Sequence, residues 1–246
     1  MQQARQAVDY FEEQKTPLVV HENFRHQPWY QLIKQYLDDN RLGEIYQITY
    51  RLRPGDGQGP DAYLARQPYF RDQPEFLVRE TAVHCIDVFR FLCGEIDGVF
   101  ADLVQLNPVI KGEDAGLILL RFKSGARGVI DGNRLSDHAS ENPRLTLGEM
   151  RIEGANGEIT LDGSGRVWWR QHGEPLPGEI NYSWNDNDFG GDCVYLTQQH
   201  IIERLNNGLT PDNVARDYLL NRYWEREVYA SSAEGLWRMR LPVDKG

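Results

Sequence analysis

The chain of 246 residues is short of three things. It has three cysteines (Cys85, Cys93, Cys193) with no CxxC pair and no even framework, which excludes a disulfide scaffold and points to a reducing compartment. It has no apolar run near the roughly 20 residues that span a bilayer. It has no basic block either: 37 acidic against 27 basic side chains give a formal charge of −10, so nucleic acid and anionic membrane are poor partners. The opening Met1-Gln2-Gln3-Ala4-Arg5-Gln6 also lacks the apolar core of a signal peptide. The expected setting is the cytoplasm. With 40% hydrophobic and 26% charged residues, the composition is that of an ordinary globular protein with a sizeable core.

Hydrophobic spacing predicts a helix over residues 2–14, a short buried strand at Leu18–Val20, and a second helix from Pro28 carrying Leu32, Ile33, Tyr36 and Leu37 to a stop at Gly43. From Glu44 the period becomes two, with Tyr46, Ile48, Tyr50 and Leu52 on one face. The Gly/Pro-rich stretch Pro54–Pro60 reads as a disordered connection or a mobile lid. After an apolar helix over Glu80–Gly94 come strand-like runs at Val99–Val104, Ala115–Phe122, Ala126–Asp131, Arg144–Leu147, Met150–Glu153, Glu158–Leu161 and Arg166–Arg170, then helices over Val194–Asn206 and Val214–Ser232. Helices, a strand meander and helices again predict an α+β fold: a large, mainly antiparallel or mixed open sheet with helices on one face.

The helix ending at Gly94 carries the chemistry. Glu80 and His84 stand four residues apart, a spacing that stacks them on one helical face. A carboxylate beside an imidazole can fix its tautomer and raise its pKa, which makes the pair a candidate acid–base device. Asp87 is expected to pair with Arg90 three residues on. Glu80, His84 and Asp87 could alternatively ligate a metal, as in a hydrolase, but no second histidine falls at a helpful spacing and no metal is assigned. Asp186–Asp192 has a calcium-loop composition without the EF-hand glycine and closing glutamate, and reads as a solvated loop. Gly55–Pro60 lacks the dinucleotide spacing. Trp168-Trp169 reads as core or dimer packing. Glu22-Asn23-Phe24-Arg25 follows a strand, where polar groups of α/β proteins often face a ligand crevice.

These segments together resemble the Gfo/Idh/MocA oxidoreductases. The carriers are Val20–Tyr30, Asn40–Ile45, Glu80-x-x-x-His84-x-x-Asp87 ending at Gly94, Glu113–Ala126, Ile152–Gly157 and Tyr229–Gly235. Gln67–Arg71 with Pro28-Trp29-Tyr30 is similar to the branch of apiose-type sugar dehydrogenases. The resemblance implies hydride exchange between NAD or NADP and a sugar or polyol, with His84 as proton shuttle and Glu80, commonly Asp in the family, orienting it. It implies Arg25, Tyr69 and Arg71 as substrate contacts, Glu22 and Asn23 as cofactor contacts, and a homo-oligomer through the open sheet face. Residues 1–22 are similar to the last helix and strand of the family's Rossmann domain, and 23–246 to its substrate and oligomerisation domain. The glycine fingerprint and catalytic Glu-Lys-Pro lysine have no match here, so most of the cofactor site is expected to be absent and tight cofactor binding by this chain is not expected. The alternative is a truncated, inactive binding or assembly module of the same fold.

Overall fold

The computed structural model describes residues 1–240. Helix α1 (Gln2–Glu13) buries Val8 and is tied to the C-terminal helix by Arg216, which reaches Asp9 and Glu12. It stops at Lys15, in the left-handed region at φ 52°, just before Pro17. The predicted strand at Leu18–Val20 is not formed. A single bridge, Val19 to Val214, is all that this three-residue run makes, because no neighbouring strand lies beside it. Helix α2 (Pro28–Asp38) starts on proline, whose missing N–H costs nothing in a first turn, and buries Trp29, Tyr30 and Ile33.

Among the described residues nine strands form one sheet in the order β8-β7-β6-β5-β1-β4-β3-β2-β9. They are β1 (Ile45–Leu52), β2 (Ile96–Val104), β3 (Ala115–Phe122), β4 (Arg127–Asn133), β5 (Gly148–Gly154), β6 (Gly157–Leu161), β7 (Val167–Gln171), β8 (Gly178–Glu179) and β9 (Arg238–Met239). All neighbours are antiparallel except the central pair β1 and β4, which run parallel with Tyr50 opposite Ile130. The segments leaving the carboxyl ends of β1 and β4 therefore emerge side by side. Period-two alternation puts Ile48, Tyr50, Leu52, Ile118, Leu120, Phe122, Ile130, Met150 and Ile152 into the core. Each such side chain contributes about 1.5–3 kcal/mol on burial. Leu117, on the opposite face, stays exposed; Tyr46, predicted in the buried row with Ile48, is exposed as well, at a register shift between Ile45 and Gln47.

Helices α3 (Val83–Cys93) and α5 (Ala215–Glu234) pack on the buried face, α5 along β2 and α3 against β1. Gly94 ends α3 at φ 84°, ψ −163°, a backbone region open only to glycine. Helix α4 (Phe189–Asn206) is regular only after its start: Gly190, Gly191 and Asp192 are consecutive left-handed residues. A Cβ on Gly190 would lie 2.8 Å from the Gln27 amide, and one on Gly191 2.8 Å from Pro28. The solvated loop expected for Asp186–Asp192 thus holds for the exposed Asp186–Asp188, while Gly190 and Gly191 form a packed turn. No described helix is long and apolar enough to cross a membrane.

Two further expectations fail. Arg144–Leu147 is a turn, not a strand: Asn142 accepts from the Arg144 amide and Leu147 is left-handed at φ 59°. The stretch Pro54–Pro60 is neither disordered nor loose. Asn107 donates to the carbonyls of Gly57 and Gly59 at 2.8 and 2.9 Å, and Asp56 is gripped by buried Arg134 at 2.6 Å. Arg134 also donates to Tyr63 and Thr81, and lies 4.7 Å from the centre of the Phe76 ring. One guanidinium thus joins this loop to the start of the His84 helix.

Candidate active site

After α1 the backbone is drawn inward by Asn213, whose carbonyl accepts from Val20 N and whose side-chain amide donates to Glu22 O. Glu22 is thereby 1% exposed. One oxygen accepts from Phe24 N at 3.1 Å; the other meets His84 Nδ1 at 2.7 Å and accepts from the Tyr218 hydroxyl at 2.9 Å. A carboxylate in this setting is an acceptor, so Nδ1 carries the proton, and the pair fixes the tautomer of the ring. The Phe24 ring stacks on the imidazole at 4.4 Å and 18° and holds its plane. The His84 side chain is 29% exposed, and Nε2 makes no hydrogen bond among the described residues.

Burial opposes charge on both partners, but each charge answers the other. The His84 pKa is raised above its ordinary value because the Glu22 carboxylate outweighs desolvation, with Asp87 and Glu80 adding smaller contributions. Glu22 is lowered: desolvation is overcome by the His84 charge and by hydrogen bonds from His84, Phe24 N and Tyr218.

Glu80 does not orient His84 as its spacing predicts. Residues Val78–Ala82 form a π-turn, whose wider pitch carries Glu80 off the stack that an α-helix would give it. Its carboxylate accepts from Gln73 at 2.8 Å. Glu22, expected as a cofactor contact, holds the imidazole instead. Asn23 beside it has a buried Oδ1 with no hydrogen-bond partner among the described residues.

Asp87 and Arg90 do not pair either. Asp87, fully buried, takes both arms of Arg25 at 2.7 and 2.6 Å and the Asn221 amide at 2.5 Å. Arg90 turns to Glu95 and to Asn221 Oδ1. Arg25, expected as a substrate contact, is thus committed to a bidentate structural pair. Tyr69 and Arg71 lie on a short 3₁₀ segment, Pro68–Asp72, where Tyr69 is exposed against Phe70 and the Arg71 carbonyl accepts from Lys111 N. That segment reaches the His84 helix through Gln73 and Glu80 rather than by direct contact with the imidazole. Among the described residues no group of three or more His, Cys, Asp or Glu side chains gathers as a metal site. Sequence reasoning missed Tyr218, Asn213 and Asn221, which come from nearly two hundred residues after Glu22 in the case of Tyr218 and carry no local motif.

The fit of a nicotinamide dinucleotide can be judged from the same residues. Asn23 Oδ1 is an orphaned acceptor near His84, but the Gly55–Gly59 turn is bound to Asn107 and Arg134 instead of opening a helix toward a pyrophosphate. The described residues do not form a dinucleotide cradle.

A model described as the GFO/IDH/MocA C-terminal domain matches residues 30–160. The chain is 28% identical over 224 residues to a D-apiose dehydrogenase of Rhizobium rhizogenes, covering 89% of this chain and 63% of that protein. It is 29% identical to a D-apiose dehydrogenase of Paraburkholderia graminis, covering 94% and 61%. The chain therefore spans less than two thirds of the length of these relatives. In structure it resembles an oxidoreductase from Agrobacterium radiobacter, crystallised with NAD+, L-tartaric acid and magnesium, with a TM-score of 0.83 at 26% identity over 96% of this chain and 68% of that one.

Proposed function

We infer the function of this chain from its family: it belongs to the GFO/IDH/MocA family. We assign it the substrate-handling half of an NAD(P)-dependent oxidoreductase that acts on a hydroxyl of a sugar or polyol. Residues 23–246 are the substrate and oligomerisation part in this reading, and 1–22 belong with the nucleotide-binding part. The observation that carries the reading is the Glu22–His84 pair, with Nδ1 held and Nε2 left toward solvent.

Oxidation of an alcohol releases a proton along with the hydride. Neutral His84 accepts that proton at Nε2, and the imidazolium so formed is stabilised by Glu22 behind it. In reduction the same nitrogen returns it. Tyr218 and Phe24 N keep Glu22 ionised, and Phe24 keeps the ring in plane. The relatives named D-apiose dehydrogenase support a sugar as substrate, and the open sheet face bearing Tyr46 and Leu117 supports self-association.

The test is nitrogen NMR of His84 in the full chain, titrated with D-apiose and a panel of aldoses, polyols and their acids, alongside a turnover assay supplied with NAD+ or NADP+. A shift of Nε2 with at least one compound, lost in His84→Gln, is expected. If no member of the panel perturbs His84, the assignment is wrong. If His84 responds but turnover is absent, the chain is a binding module.

A further inference from the structure

A second cleft, of about 450 Å³, opens beside the His84 site. It is lined by Arg66, from the segment after β1, by Asn142 and Arg144, from the segment after β4, and by the turn Asp186–Gly190 that opens α4. Because β1 and β4 are the parallel pair at the centre of the sheet, its two arginines come from the carboxyl ends of neighbouring parallel strands, the position where α/β sheets commonly hold ligands. One wall is shared with the acid–base pair. Phe189 lies 6.0 Å from Phe24, the ring stacked on His84, and the Arg144 guanidinium sits 5.8 Å from the Phe189 centroid.

The two arginines of the cleft differ from the buried arginines that fasten the fold. Arg25 and Arg134 each hold a carboxylate at 2.6 Å, and each is raised in pKa by that partner. Arg66 and Arg144 have no carboxylate within 4.0 Å among the described residues. Arg144 is lowered in pKa, by partial loss of water and then by the charge of Arg66, with Asp56 opposing. Both arginines are exposed and line one cleft. In a chain with 37 acidic against 27 basic side chains, their lack of a carboxylate partner among the described residues is not explained by a lack of acids. The first loop is fastened by Asp56, Tyr63 and Arg134, and Arg144 is held in a local turn by the Asn142 side chain.

We propose that this cleft binds the carboxylate of a sugar acid, an aldonate or uronate, whose reacting hydroxyl reaches His84. Arg66 and Arg144 take the carboxylate, and Asn142 and Asn187 line the cleft beside them. A phosphate is the poorer fit. Asp186 and Asp188 also line the cleft, and Asp188 accepts from Phe189 N at 2.7 Å; beside two acidic side chains a dianion would be repelled more strongly than a single carboxylate. The proposal rests on the assignment of His84 to a substrate hydroxyl.

The experiment is calorimetric titration of the full chain with D-galacturonate and D-gluconate, with D-galactose and D-glucose as neutral counterparts and glucose 6-phosphate as the phosphate probe. At least one acid is expected to bind about tenfold more tightly than its neutral counterpart, as for a charge-assisted bidentate contact. Arg66→Gln and Arg144→Gln should each abolish that ratio, Arg144→Lys should restore part of it, and added salt should reduce it. Equal affinity for acid and neutral sugar, no acid binding, preference for the phosphate, or indifference to both substitutions overturns the proposal. Nitrogen NMR of His84 separates the two claims. Acid held by the arginines with His84 unmoved sinks the proton-transfer role and leaves an anion site; His84 responding to neutral sugars alone does the reverse.

Discussion

Two buried ion pairs sit side by side on one helix and have opposite characters. Glu22 with His84, and Asp87 with Arg25, lie one turn apart, and burial opposes the charge of both carboxylates. Yet Glu22 is lowered in pKa and Asp87 is raised. Glu22 has the imidazolium, a backbone amide and a tyrosine hydroxyl around it. Asp87 has Arg25 and Asn221, but it also feels the charge of Glu22. The Asp87 pair is sealed: it has a permanent cation and no titrating, exposed end. The Glu22 pair ends in a ring that is 29% exposed and can change charge. The first fastens the segment after α1 to α3; the second does chemistry from the place so fixed.

The largest effect should come from breaking the sealed pair. Asp87→Ala leaves Arg25 buried without a counter-charge and is expected to cost about 3–5 kcal/mol in urea unfolding. Replacing Arg25 and Asp87 together by Met and Leu should recover most of it, because a buried ion pair stabilises little beyond apolar residues of like volume. A double variant as unstable as Asp87→Ala would show that the pair does more than fasten two segments.

Glu22→Gln should cost less, about 1–3 kcal/mol near neutral pH, since Tyr218 and Phe24 keep partners. Its clearer consequence is on titration. With the carboxylate charge gone, desolvation of His84 is opposed only by the smaller contributions of Asp87 and Glu80, and its pKa should fall, followed by proton NMR of the ring; an unmoved midpoint breaks the comparison. The signs for the intact chain follow from the same shifts. Glu22, lowered from 4.5, adds stability above that value and loses it as pH falls through its folded pKa. His84, raised from 6.5, adds stability below that value and loses it as pH rises through its folded pKa. The pair is therefore strongest between about pH 4.5 and 6.5. Asp87, raised from 3.8, contributes the other way: its share is present below 3.8 and lost as pH climbs. Stability measured across acid pH should thus lose part of its acid limb in Glu22→Gln and keep it in Asp87→Asn.

What could be read from the sequence divides along the same line. Period-two patterning identified β1, β3 and the hairpin of β5 and β6, because each strand has one buried face and registers its own alternation. His84 stood out for its setting in an apolar helix. Its partner did not, because Glu22 lies 62 residues away and reaches it only through a bridge at Val19 and the amide of Asn213. Arg144–Leu147 looked like a strand by composition but no neighbour was available to pair with it, and the fastening of Pro54–Pro60 depends on Asn107 and Arg134, far away in the chain. Local patterns gave the elements; contacts between distant segments made the site.

The smallest effect tests the one local rule that failed. An i, i+4 carboxylate–imidazole pair presumes 3.6 residues per turn, and the π-turn at Val78–Ala82 removes that premise at Glu80. Glu80 acts on His84 only through its charge, the last of the contributions that raise the ring. Glu80→Gln should therefore lower the His84 midpoint by much less than Glu22→Gln does and change stability by under about 0.5 kcal/mol, the range of ordinary surface substitutions. Were the two substitutions to move His84 equally, Glu80 would be its partner in solution, and the helix there would have to run in α-helical register.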